Sequence, residues 1–100
     1  MKENTFYVVL SIRTGEGFEN FGRFNLGNNR EAASAIFSQL NGSAAVDDKT
    51  MLTIDLIETV NELPVNLQIM ACTLDQLSEN CKIITKETFK IFNLEGQKPG

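Results

Sequence analysis

From Thr5 to Arg13 the side chains alternate, with Phe6, Val8, Leu10 and Ile12 on one side and Tyr7, Val9, Ser11 and Arg13 on the other. A period of two with β-branched and aromatic content predicts a strand. The "TGEG" that follows holds two glycines able to take positive φ, so the chain reverses near Gly15 to Gly17. The return strand, about Phe18 to Leu26, alternates less cleanly. Phe24 and Leu26 share a face, Phe21 points the opposite way, and Gly22 sits where a bulge changes the register.

The period then shifts to that of a helix. In "NNREAASAIFSQLNG", Ala33, Ile36, Phe37 and Leu40 form a buried stripe. Asn28 followed three residues later by Glu31 resembles a capping box, and Asn41-Gly42 reads as the C-terminal stop. "SAAVDDK" is a surface connection. Alternation returns from Met51 to Val60 and again from Val65 through Leu67 and Ile69 to Ala71, with Pro64 in the "NELP" loop ending strand pairing there. Thr73 and Gln76 make a second capping box, opening a helix with Leu74, Leu77 and Cys81 on one stripe. Residues 82–95 fit a strand as well as a helix. The helix is preferred, restarting at Thr85 as N-cap, with Phe89, Ile91 and Phe92 supplying apolar contacts.

Two hairpins, each followed by a helix, define an α+β protein of ββαββα order, the last helix broken in two. Its four-stranded, mostly antiparallel sheet carries helices on one face. The pattern leaves the strand order open. Residues 1–95 form the single domain and residues 96–100, "GQKPG", a flexible tail.

Composition narrows the chemistry. A net charge of −4 and a pI of about 4.7 remove the generic attraction for nucleic acid or an anionic membrane, so neither is an expected partner. The lysines at 82, 86, 90 and 98 are diluted by Glu79, Glu87 and Glu95, and Lys82 with two isoleucines stands where a helix-turn-helix needs its glycine turn. The apolar run Phe6 to Leu10 is too short for an export signal or a membrane span, which makes the cytoplasm the expected location. With no histidine, the commonest general base and metal ligand is missing, and no cofactor, metal or catalytic constellation is expected. Cys72 and Cys81 read as buried apolar filler, and Asp47, Asp48, Glu58 and Glu62 as solvated loop charges.

Two surfaces carry functional expectations. With helices over the side of Phe6, Val8, Leu10, Leu52, Ile54, Leu56, Val65, Leu67 and Ile69, the other sheet face carries Tyr7, Val9, Phe21, Met51, Ile57 and Met70, more apolar than a solvated face. Their contiguity predicts a non-enzymatic module that joins a second copy, as a homodimer, or another protein partner. The alternative is an anion or small-metabolite site at the start of the first helix, built from Arg13, Arg23, Gly27, Asn28, Asn29 and Arg30. Neither phosphate fingerprint, G-x-G-x-x-G or G-K-[ST], is present, so glycines serving as turn, bulge and helix lead-in are the plainer account.

Overall fold

The computed structural model describes residues 4–95, and side chains through Asn93. The expected tail at 96–100 lies outside the described residues. Strand β1 (Thr5–Thr14) and strand β2 (Gly17–Gly27) form the first hairpin, followed by helix α1 (Arg30–Ser38). Strands β3 (Leu52–Val60) and β4 (Leu63–Cys72) form the second, followed by helix α2 (Leu74–Phe89), which runs on into a π-helical stretch at Lys90–Glu95. The sheet order is β2-β1-β3-β4, and all three neighbouring pairs are antiparallel. This is the expected α+β element order.

Both reversals are two residues long, but their chemistry differs. In the first, Gly17 takes φ +114°, and the Thr14 hydroxyl donates to Gly17 O (3.0 Å) and accepts from Glu16 N (3.2 Å). In the second, Asn61 (φ 51°) and Glu62 (φ 69°) both adopt the left-handed conformation, as a type I′ hairpin requires. Pro64 does not end the pairing as expected; it lies inside β4 opposite Thr59. The Val60–Leu63 pair closing a two-residue turn takes the hydrogen bonds, so one position on, the proline nitrogen faces the free edge of the sheet, where no N–H is required.

Register shifts decide which side chains reach the core. One falls between Leu10 and Ser11, where Gly22 pairs with Leu10 and Asn20 with Ser11, leaving Phe21 as the bulged residue. A Cβ on Gly22 would lie 3.1 Å from Leu10 Cδ1, so this glycine gives Leu10 its room. Another shift, between Leu56 and Ile57, makes Leu67 the extra residue of β4. One buried cluster then joins Phe6, Val8 and Leu10 with Ile54 and Leu56, with Ala33, Ile36 and Phe37 of α1, and with Leu77 and Ile84 of α2.

The helix ends depart from expectation in instructive ways. Asn29, not Asn28, caps α1, its Oδ1 accepting from Ala32 N at 2.8 Å; either asparagine has the chemistry, and the backbone path selects the one in extended conformation (φ −104°, ψ 113°). The helix stops at Ser38, and Gly42 is no cap: a Cβ there would sit 2.6 Å from Ala71 O and 2.7 Å from Met70 Sδ. Gly42 is required by close approach, since Ser43 exchanges two backbone hydrogen bonds with Ala71 (2.8 and 2.7 Å) on the outer edge of β4.

Helix α2 begins with both arms of the expected Thr73/Gln76 capping box (3.1 and 2.9 Å). It is not broken at Thr85, which lies inside one continuous helix, because the buried stripe through Leu77, Asn80 and Ile84 continues to Ile91. A β-branched residue at such a site costs only about 0.5 kcal/mol. Leu74, expected on the stripe, is instead exposed, and Phe89 and Phe92 are half exposed. Asn80 takes the buried place: its Oδ1 accepts from Asn41 N (2.8 Å), while its Nδ2 donates to Asn41 O (2.8 Å) and toward Cys72 Sγ (3.5 Å).

Candidate association face

The side chains of opposite parity to the core build a second sheet face in rows across the strands. In one row Arg23, Val9, Asp55 and Ile69 stand on β2, β1, β3 and β4; in the next stand Asn25, Tyr7, Ile57 and Asn66. A third row holds Asn20, Ser11, Thr53 and Ala71, where Ser11 Oγ donates to Asn20 Oδ1 at 2.8 Å. Val9, Ser11 and Thr53 are 7%, 6% and 3% exposed, yet none belongs to the core cluster. The Arg23 guanidinium stacks 3.8 Å from the Tyr7 ring centroid, and the two flank an open depression of about 410 Å³ lined also by Val9, Asn20, Gly22, Ile57 and Pro64.

Of the six residues expected here, Tyr7, Val9 and Ile57 are brought together. The other three are not. Met70 pairs with Ile54 and packs against the core, because the bulge in β4 shifts the parity of everything after it. Phe21 is the bulged residue of β2, 53% exposed. Met51 precedes β3 and borders a separate apolar depression of about 480 Å³ with Leu52, Ala71, Cys72 and Leu74. In exchange the same bulge brings Ile69, assigned by simple alternation to the covered side, onto this face beside Asp55. Asp55 accepts from Asn66 Nδ2 through Oδ2 (2.7 Å), while its Oδ1 is buried with no hydrogen-bond partner among the described residues.

The residues of the anion-site alternative do not converge. Arg13 stands at the end of β1 where it holds the 47–50 loop, Nε donating to Thr50 O (2.7 Å) and Nη2 to Asp47 O (3.1 Å), with Phe18 beneath its guanidinium. Arg30 sits at the opposite end, bonded to Glu58 at 2.6 Å. From Phe6, which pairs with Glu58, to Arg13 is seven residues of strand, roughly 23 Å. Arg23 lies on the second face. Two of the amides there are engaged as well: Gly27 N donates to Asn25 Oδ1 and Ala32 N to Asn29 Oδ1, while Asn28 is exposed. Glycine at position 27 answers to its φ of +90°.

Glu58 is not the solvated loop charge expected. It lies within β3, 4% exposed, and its carboxylate accepts from Arg30 Nη2 and from Asn4 Nδ2 (2.7 Å). Burial pushes the thiols of Cys72 and Cys81 up, and for Cys72 the hydrogen bond from Asn80 opposes that rise only in part. Among the described residues no group of three or more His, Cys, Asp or Glu side chains is arranged to hold a metal, and no helix is long and apolar enough to cross a membrane. The chain matches no protein-family model, no curated protein and no solved structure.

Proposed function

We propose that this protein is a non-enzymatic self-associating module of the cytoplasm, two copies of which meet through the second face of the sheet. Both helices take their places on the core side in this reading, leaving Tyr7, Val9 and Ile57 as the centre of the contact. One observation carries it: three apolar side chains from two central strands converge on one depression outside the core, with Ile69, 43% exposed, on the adjoining strand. A solvated antiparallel face ordinarily alternates to polar residues at such central positions. Apolar patches of this kind on a small domain mark interfaces. Two free cysteines, the thiol of the buried one raised by its surroundings, suit a reducing compartment.

Sedimentation equilibrium at about 50 µM, a concentration that populates any dimer of micromolar affinity, tests the reading. Wild type is expected as a dimer and Ile57→Lys as a folded monomer, since position 57 is half-buried and stands outside the core cluster. A wild-type monomer under those conditions overturns it.

A further inference from the structure

The geometry points to a reciprocal ion pair between copies, Arg23 of each chain with Asp55 of the other, that fixes how the two faces meet. It rests on the self-association proposed above. Arg23 and Asp55 are both cross-strand neighbours of Val9, on β2 and β3 respectively. Strands lie about 4.8 Å apart, so the two charged residues flank Val9 at roughly equal distances and stand about 10 Å from each other. Within one chain that separation keeps them apart, and among the described residues no carboxylate forms an ion pair with Arg23. Its guanidinium rests on Tyr7, while Asp55 keeps one oxygen without a donor.

A two-fold interface is self-complementary: where residue i meets j, j also meets i. Let the axis run parallel to β1, between the sheets, over Val9. Left and right are then exchanged and Val9 faces Val9. Arg23 of one copy comes to lie opposite Asp55 of the other, twice in the dimer. The same operation sets Asn20 opposite Thr53, a pairing of two hydrogen-bonding side chains. An axis perpendicular to the strands instead sets Arg23 against Arg23 and Asp55 against Asp55, and like charges meeting in an interface act against that arrangement.

Sheets packed face to face are about 10 Å apart, a gap that an extended arginine and an aspartate bridge together. The exchange has a cost. Arg23 must leave or share the Tyr7 ring, and the Asp55 carboxylate must turn about its last, soft torsion to present the oxygen that lacks a donor. What is gained is a charge-assisted hydrogen bond in a partly desolvated seam. Such pairs contribute more to register and partner choice than to raw affinity.

Charge reversal reads this out. Arg23→Asp and Asp55→Arg are each expected to weaken the dimer about tenfold or more by sedimentation equilibrium, because both pairs become like-charged contacts. Mixing the two variants restores both pairs at once, since one chain then carries Asp at 23 and 55 and the other Arg at both. The mixture should dimerise preferentially as a heterodimer, near wild-type affinity. Asp55→Asn, which keeps the shape and removes the charge, guards against misfolding of the reversal at a central strand, and a smaller loss is expected there. A wild-type dimer that tolerates Arg23→Asp within twofold, or a mixture with no heterodimer preference, overturns the ion pair while leaving self-association standing. A wild-type monomer removes both.

Discussion

The two faces of the sheet are made from alternate residues of the same strands, yet they bury their centres by different means. On one, Val8, Ile54 and Leu56 are fully enclosed among helix side chains such as Phe37 and Ile84. On the other, Val9, Ser11 and Thr53 are nearly as inaccessible yet stand outside that cluster, among neighbours that include Arg23 folded onto Tyr7 and Asn20 bonded to Ser11. Low exposure alone therefore does not identify a core. The first face is nearly all carbon and supports the fold, whereas the second mixes Tyr7, Ile57 and Ile69 with Arg23, Asp55 and Asn66, the combination of apolar centre and polar rim that recognition uses.

The largest expected effect breaks this contrast if it fails. Phe37→Ala empties a site 2% exposed and should cost about 3–5 kcal/mol in urea denaturation, whereas Ile69→Ala should cost less than about 1 kcal/mol under conditions where the chain is monomeric. Comparable losses would mean that position 69 is packed inside a lone chain. The second face would then be no docking surface.

Next in size is the junction that ties the α1–β3 connection to the edge of β4 and to α2. Gly42→Ala places a methyl 2.6 Å from Ala71 O, against backbone held by the Ser43 bridge, and should destabilise by about 1–3 kcal/mol. Asn80→Ala strands the N–H and C=O of Asn41, and a similar loss of about 1–3 kcal/mol is expected. Gly15→Ala is the control: nothing lies within 4 Å of its added Cβ, and its effect should stay within about 0.5 kcal/mol. A neutral Gly42→Ala in thermal unfolding would show that this connection is not docked on β4. The junction matters to the comparison because it covers part of the free edge of β4, which with Pro64 and the bulge at Leu67 leaves little unbroken edge for strand addition. Strand addition at the β4 edge is thereby disfavoured.

The elements themselves were legible because their signals are local. Alternation in β1 and β3, the glycine reversal after Thr14, the bulge beside Gly22 and the Thr73/Gln76 box all depend on residues a few positions apart, and all occur. What escaped was set by pairing. The extra residue at Leu67 exists only in relation to β3, so alternation along β4 alone put Ile69 and Met70 on each other's faces. Asn80 looks like a surface helix residue until the chain near Asn41 is brought against it, and Glu58 like a loop charge until Arg30 and Asn4 close around it. Gly42 next to Asn41 carries the signature of a helix stop. The position is dictated instead by a distant strand, through the carbonyl of Ala71 near the end of β4. The arginines of the first hairpin were separated for the same reason: nearness in sequence between Arg13 and Arg30 becomes opposite ends of one strand.

The smallest effect probes the covered face from its chemistry. Cys72 belongs to the core cluster and Cys81 packs against it, and burial raises both thiols above their ordinary range, with Cys81 adding to the rise at Cys72. The folded state therefore favours the protonated thiol. This contribution to stability is fully present below the unfolded value of about 8.5 and is lost as pH rises through the folded one. Between pH 7 and 10 the unfolding free energy of wild type should fall more steeply than that of a Cys72→Ala, Cys81→Ala variant, in which other alkaline groups still titrate but the thiols do not. Alkylation at pH 7.5 should also run slower than for an unhindered thiol, since little thiolate is present. Parallel pH profiles together with prompt alkylation would place these cysteines in water, and the face they help to seal would then be as open as the one across the sheet.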